Sequence, residues 1–460
     1  MQPAIIVIFG ITGDLAGRYL LPALYHLISN HLLHEDTEII GVSRREISVD
    51  ELLGKTELCV LEADKTCDPA ALQRLRDALS VFKMDLASGE DYDKLLEHLN
   101  ALETRHGVCM NRLYYLSVPP GASGPVVANL GEHSLNQSCQ HGHAATRLLL
   151  EKPFGYDLPS AQEFIAETSE HFREDQIFRI DHYLAKETVQ NILTFRFHNP
   201  IFEAVWDRGH ITGIDILASE KIGIEGRAAF YEQTGALRDF VQSHLLQLLA
   251  VTAMEKPAAM SSDAIHASRL KLLESIEPVP ADKVFERTLR GQYDGYRAEV
   301  GNPDSTIETF AAIKLSINNG RWRGVPVTIR TGKALDARKT EINVTFRRDN
   351  DSYANMLQFY VQPNEGIGID LCVKRPGFDD QIESAAMDFS YERSFAGHES
   401  GHPNAYERVL VDAVRGDRTL FAGSREVLAS WRILQPVIEA WTKTAEDLRV
   451  YKQGTSVLEI

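Results

Sequence analysis

Residues 179–187 read Arg-Ile-Asp-His-Tyr-Leu-Ala-Lys-Glu, so His182, Tyr183 and Lys186 fall within five positions. An imidazole, a phenol and an ammonium gathered this closely form a donor set for a phosphate dianion. The i, i+4 spacing of His182 and Lys186 predicts a shared face if the stretch is helical, with Asp181 as its cap. A second segment, Glu232 to Leu249, places Arg238, Asp239 and His244 on a strongly apolar helical pattern. A histidine there is either a satisfied core residue or a general base for an alcohol, which an imidazole titrating near neutral pH suits. Asp181 or Asp239 can orient it. A third segment, Glu151-Lys152-Pro153-Phe154-Gly155, ends a predicted strand, and Pro153 is a candidate for a cis peptide. A lysine leaving the carboxyl edge of a parallel sheet points into the ligand crevice. The densest basic run of the chain, Arg330 to Lys339, holds Lys333 and Arg338. It is either a reach toward an anionic substrate or a solvated loop.

The turn Gly10-Ile-Thr12-Gly13-Asp14-Leu15-Ala16 follows an apolar run and opens a helical pattern. Its spacing is GxxGxxA rather than GxGxxG, and its weight comes from that context. Glycines there let the backbone approach a pyrophosphate at a helix N-terminus. An NAD site wants a carboxylate at the end of the next strand. Here Ile39-Ile-Gly-Val-Ser43 runs into Arg44 and Arg45, and guanidinium groups suit a 2′-phosphate. The expectation is NADP.

These residues need a frame. Short apolar runs at Ala4–Phe9, Glu38–Ser43, Arg112–Val118, Thr146–Leu150 and Gln176–Ile180 alternate with helical stretches such as Ala70–Leu79 and Asp91–Leu102. That alternation predicts a Rossmann-type parallel sheet over residues 1–180. Residues 181–460 change texture. Helical patterns at Lys186–Leu193 and Ala236–Met254 precede clustered strands at Ile211–Ser219, Thr309–Ile317, Val325–Arg330, Glu341–Phe346, Leu357–Gln362, Ile369–Val373 and Met387–Tyr391. A helix near Ser424–Glu446 closes the chain. Strands without crossover helices predict a large, mainly antiparallel sheet backed by helices. The fold class is therefore α/β plus α+β.

The chain has 460 residues with a net charge of −17, which argues against a nucleic-acid binder. Five scattered cysteines without a CxxC argue against a disulfide framework and for a reducing compartment. Cys139-Gln-His141-Gly-His143 matches no zinc spacing, so no metal is expected. No apolar run is long enough for a bilayer, and a soluble cytoplasmic protein is the simplest reading.

The combination resembles the glucose-6-phosphate dehydrogenase family along nearly the whole chain. The matching stretches are the glycine turn 10–16, Tyr115-Leu-Ser-Val-Pro119-Pro120, Glu151–Gly155, Arg179–Glu187, Gly226-Arg227 and Arg238-Asp239. Gln242–Gln247, Arg330–Lys339, Pro363-Asn-Glu365 and Asn404–Arg408 complete the set. The resemblance implies oxidation of glucose 6-phosphate at C1 to 6-phosphogluconolactone with hydride transfer to NADP, the first step of the oxidative pentose phosphate pathway. It makes His244 the general base and Asp181 its stabiliser. It assigns the 6-phosphate to His182, Tyr183 and Lys186, with Lys333 and Arg338 nearby, and the sugar hydroxyls to Glu220 and Asp239. Gly10, Thr12, Gly13, Asp14, Leu15, Tyr115 and Pro119 fall to the cofactor, Arg44 to its 2′-phosphate, and Lys152 bridges sugar and nicotinamide. It also implies a homodimer or homotetramer through the second-domain sheet. The chain departs from the family at Ala185, usually Gly, at Ser243, usually Asn, and at Gly17, where a basic residue is common and Arg18 stands next. Asn343 and Tyr360 fall where some relatives hold a second NADP with arginines, so no such site is expected. Two other readings stand beside this one. One is an NAD(P)-dependent dehydrogenase of another anionic hexose; the other is a non-catalytic sugar-phosphate or NADP sensor.

Overall fold

The apolar run Ala4–Phe9 becomes β1, with all six residues buried. In this computed structural model, residues 2–54, 68–139, 144–348, 353–395 and 403–458 are described. Two compact units emerge, and neither is continuous in sequence. The first comprises residues 1–155, 159–185 and 402–424; the second comprises 156–158, 186–401 and 425–460.

The first unit is built on β1, β2 (Glu38–Ser43), β3 (Leu79–Lys83), β4 (Asn111–Leu116), β5 (Thr146–Leu150) and β6 (Ile177–Ile180). These pair in parallel in the order β6-β5-β4-β1-β2-β3, and β16 (Phe421–Ala422) adds an antiparallel edge to β6. Apolar side chains fill both faces of β1 because helices cover both sides of such a sheet. Strand order reverses at β1, which has β2 on one side and β4 on the other. In open α/β sheets that reversal opens a crevice at the strands' carboxyl ends. Local chemistry sets the helix limits. Asp68 accepts the Ala70 N–H at 2.9 Å to start the helix Pro69–Ala78, and Gly107 at φ 67° ends Gly89–His106. The helix Ala405–Arg415 starts on Asn404, whose side chain accepts from Tyr406 N and Glu407 N. It is tied to the helix Leu21–Ser29 by Glu407 and His26 at 2.7 Å.

One cysteine expectation is corrected. Cys109 and Cys139 form a disulfide with Cα atoms 5.8 Å apart. They lie ahead of β4 and β5, which start side by side with Arg112 opposite Thr146. Cys372 is free and exposed. Cys59, Cys67, His141 and His143 lie outside the described residues.

The second unit holds a ten-stranded sheet. Its strands are β7 (Ile211–Ser219), β8 (Ile276–Glu277), β9 (Thr288–Tyr293), β10 (Phe310–Ile317), β11 (Val327–Gly332), β12 (Lys339–Phe346), β13 (Met356–Gln362), β14 (Gly366–Lys374), β15 (Ile382–Ser390) and β17 (Arg449–Tyr451). The order is β15-β14-β13-β12-β7-β11-β10-β9-β17, with β8 on β10. Pairing is antiparallel except between β7 and β11 and between β9 and β17. Helix Glu187–His198 backs the sheet, where Phe195 meets Phe359 of β13 edge-on at 5.5 Å, and Leu246–Ala253 packs on that helix. The single helix expected over 236–254 is two segments, a wide π-type stretch Leu237–Leu245 and the fully buried Leu246–Ala253. Among the described residues, no helix is long and apolar enough to cross a membrane.

Candidate active site

Gly10 turns the chain out of β1 at φ 85°, a conformation side chains avoid. A Cβ there would stand 2.1 Å from the Ser117 carbonyl oxygen, so the residue must be glycine for space as well. Gly13 N–H donates to Gly10 O at 2.9 Å, and Gly17 N–H to Gly13 O at 3.1 Å, closing the turn into a helix. Behind the turn opens a cleft of about 540 Å³. Gly10, Thr12 and Gly13 line it from β1, Val42, Ser43 and Arg44 from β2, and Asp85, Leu86 and Ala87 from the loop after β3. Ser117, Val118 and Pro119 line it after β4, with Ala122, Pro125 and Val126 of the helix Pro120–Glu132. The first turn of that helix offers backbone N–H groups to an anion. Arg44 is exposed at the rim. The glycine cradle and the helix start fit a dinucleotide, and Arg44 fits a phosphate on its ribose. Asp14 and Leu15 lead into the helical turn, where Asp14 pairs with Arg18 at 3.5 Å, both exposed.

At the ends of β5 and β6 the first unit gathers a second group. The Lys152–Pro153 peptide is cis. Tyr115 is fully buried and donates its hydroxyl to Glu151 at 2.5 Å. Burial pushes the Glu151 carboxyl up to about 7, against the pull of Tyr115 and Lys152, and Asp181 pushes it further. Burial also raises the Tyr115 phenol. Asp181 is buried and accepts the Tyr183 N–H at 2.9 Å. His182 stacks on Tyr406 at 6.3 Å, and Tyr406 stacks on Tyr19 at 5.1 Å. Residues 182–185 form turns, and the helix begins only at Glu187. The shared helix face expected for His182 and Lys186 therefore does not exist, because the Asp181 turn interrupts the spiral. Ala185 is buried and is not among the residues at positive φ, so its backbone does not require a glycine.

The second unit presents the remaining groups. Lys186 sits just before the helix Glu187–His198 in an extended conformation. Burial lowers its ammonium, Glu365 raises it, and Arg338 lowers it. Glu365 also accepts from Thr188 N at 3.2 Å and Thr188 Oγ1 at 3.3 Å. Asp239 and His244 are buried on the wide helical stretch, and the His244 ring meets Phe240 edge-on at 5.5 Å. Ser243 Oγ donates to Asp239 O at 2.9 Å. Lys333, at the end of β11, is buried in an ion pair with Glu220, just past β7. Its ammonium also lies 5.4 Å from the Tyr231 ring and 6.0 Å from that of Phe240. Lys186 and Arg338 supply positive charge, while Glu220 and Asp239 supply acceptors. Such a set can hold an anionic polyol beside an imidazole.

Sequence reasoning had assigned no role to Asp85, Glu151, Glu365 or Tyr406. Glu151, Glu365 and Tyr406 carry a local signal, each lying in a stretch that matches the family, whereas Asp85 lies in none. Among the described residues, no group of three or more His, Cys, Asp or Glu side chains is placed to hold a metal ion.

Two family models divide the chain near residue 192. Residues 7–191 match the glucose-6-phosphate dehydrogenase NAD binding domain, and residues 193–457 match the glucose-6-phosphate dehydrogenase C-terminal domain. The chain is 38% identical over 477 residues to a glucose-6-phosphate 1-dehydrogenase of Rhizobium meliloti (strain 1021), spanning 99% of this chain and 94% of that one. A solved structure of glucose-6-phosphate dehydrogenase in complex with its substrate glucose-6-phosphate aligns with a TM-score of 0.91 at 31% identity, covering 100% of this chain and 96% of that one. The glucose-6-phosphate 1-dehydrogenase from Mycobacterium avium aligns with a TM-score of 0.84 at 33% identity, covering 99% and 96%.

Proposed function

The chain belongs to the glucose-6-phosphate dehydrogenase family, and from that premise we propose that it oxidises glucose 6-phosphate at C1 to 6-phosphogluconolactone with NADP as the partner in hydride transfer. The likeness, at a TM-score of 0.91, to a structure solved with glucose 6-phosphate bound carries the substrate assignment. Arg44 on the rim of the cleft at β2 carries the cofactor assignment.

His244 takes the proton of the C1 hydroxyl as the C1–H bond breaks, and Asp181 stabilises the imidazolium that forms. With His244 1% exposed, the imidazole lies in a setting from which bulk water is largely excluded. His182, Tyr183 and Lys186 hold the 6-phosphate, with Lys333 and Arg338 adding positive charge. Glu220 and Asp239 accept from sugar hydroxyls, and the Lys333 ammonium pairs with Glu220. Gly10, Thr12, Gly13, Asp14, Leu15, Tyr115 and Pro119 hold the dinucleotide, Arg44 holds its 2′-phosphate, and Lys152 spans sugar and nicotinamide. The nicotinamide supplies the hydride acceptor. The assembly is a homodimer or homotetramer, supported by the uncovered strands β14 and β15.

The test follows nicotinamide reduction by absorbance, with glucose 6-phosphate or free glucose as substrate and NADP or NAD as cofactor. Reduction that needs the phosphorylated sugar supports the reaction. Arg44→Ala is expected to raise the KM for NADP about 10- to 100-fold, the worth of one charge-assisted hydrogen bond, and to leave NAD nearly unchanged. No reduction with glucose 6-phosphate refutes the substrate, and equal weakening of both cofactors refutes the role of Arg44.

A further inference from the structure

The helical stretch Leu237–Leu245 carries Arg238, Asp239 and His244, yet its first residues receive no side-chain cap from their own segment. The acceptor comes from another part of the second unit. Glu308, two residues before β10, is buried, and its Oε1 accepts the Leu237 N–H at 2.9 Å. Its backbone carbonyl accepts the Ala236 N–H at 3.0 Å. One residue thus satisfies two successive amides at the start of the helix, donors that would otherwise be buried without partners. Gly235 shows that the fit is tight. It lies at φ 61° and ψ −177°, and a Cβ there would stand 2.4 Å from Glu308 Oε1. The chain has no side chain at this point, and the carboxylate occupies the space.

The same strand segment also anchors the other side of the cluster. The next residue, Thr309, accepts the Lys333 N–H on its carbonyl at 2.9 Å. Thr309 Oγ1 lies 2.8 Å from the Tyr451 hydroxyl, which donates to Lys333 O at 2.8 Å. Residues 308 and 309 therefore set the helix of His244 and the loop of Lys333 on a common base. Burial raises the Glu308 carboxyl, and the charges of Arg238 and Arg290 lower it.

From this geometry we infer that Glu308 is a positioning residue for the reaction, fixing through the Leu237 amide the placement of the helix that presents Asp239 and His244. This deepens the proposed reaction and rests on His244 being its base. A displacement of about 1 Å at a reacting group can cost about 10²-fold in rate, so removal of the acceptor acts on turnover first.

The experiment compares Glu308→Ala, which removes the acceptor, with Glu308→Gln, which keeps an amide oxygen in its place. His244→Ala runs alongside, and cofactor binding to the first unit reports on folding. The expected result is a fall in kcat of about 10- to 10²-fold for Glu308→Ala, with the KM for NADP within about twofold and Glu308→Gln within about threefold of the unsubstituted protein. A Glu308→Ala kcat within twofold of the starting value overturns the inference, as does an equal loss in both variants. If His244→Ala itself keeps kcat, the base assignment fails instead, and the two failures are told apart. Hydrogen exchange on the unsubstituted protein gives a test that needs no variant. The Leu237 amide is expected to exchange as slowly as the amides of β10, and rapid exchange there overturns the inference whatever the variants do.

Discussion

The half-buried carboxyl group of Glu151 and the buried Tyr115 phenol share one short hydrogen bond. The carboxyl is held up to about 7, compared with 4.5 when exposed, and burial is the larger cause. The folded chain therefore holds this proton more tightly than the unfolded one. The associated stability is fully present below about pH 4.5, falls as pH rises, and is gone above about 7. The span between the two values corresponds to roughly 3 kcal/mol at most. Glu151→Gln keeps an acceptor for Tyr115 and removes the titration. The variant should gain on the unsubstituted protein in melting temperature between pH 4.5 and 7, with the difference levelling off above 7. Parallel stability curves across that window would show that Glu151 does not titrate there.

Two glycines with similar backbone angles separate local strain from element-to-element contact. Gly107 has φ 67°, ends a helix and has nothing within 4 Å of an added Cβ. Gly10 has φ 85° and abuts the Ser117 backbone beyond β4. Alanine at 107 should cost about 1 kcal/mol of stability and leave the cofactor alone. Alanine at 10 must push β1 and β4 apart at the mouth of the cleft, so NADP affinity should fall at least about tenfold, as fluorescence titration would measure. NADP affinity unchanged in Gly10→Ala would remove the turn from the cofactor site. Elements with a strong local signal were legible in the sequence: β1, β2, β5 and β7 run between the residues their apolar patterns indicate. The strand β9 was not, because its Thr-Leu-Arg-Gly-Gln-Tyr is buried in spite of its polarity. Arg290 is satisfied there by Asp447 at 2.6 Å and the Trp441 carbonyl at 2.8 Å, partners more than 150 residues away. The edge strand β3 escaped notice because only Leu79 is buried. The same division runs through the site. Glycine spacing and terminal arginines can be read in place, whereas Asp85 and Glu308 gain their roles only from what folds against them.

At the scale of the whole molecule, the sheet of the second unit leaves its outer strands open. β14 is covered only over its first half, and most of β15 is exposed on both faces. Ile382 and Met387 are 53% and 63% exposed, and Val373 and Phe378 stand near them in sequence, also exposed. An uncovered edge strand of nine residues with apolar side chains is a template for pairing, and proteins block such edges with charge or cover them. In the proposed assembly a second copy meets the first across a two-fold axis and covers this strand, and such closed symmetry is the commonest assembly of soluble chains. The net charge of −17 opposes association at long range, so burial of apolar surface must supply the attraction. Replacing Ile382 and Met387 together by lysine puts charge where contact is expected. Light scattering should then report the 51.5 kDa of a single chain in place of two or four times that mass. Cofactor binding by the first unit should persist, which separates lost assembly from lost fold. A double variant that keeps the assembled mass would move the interface away from this edge.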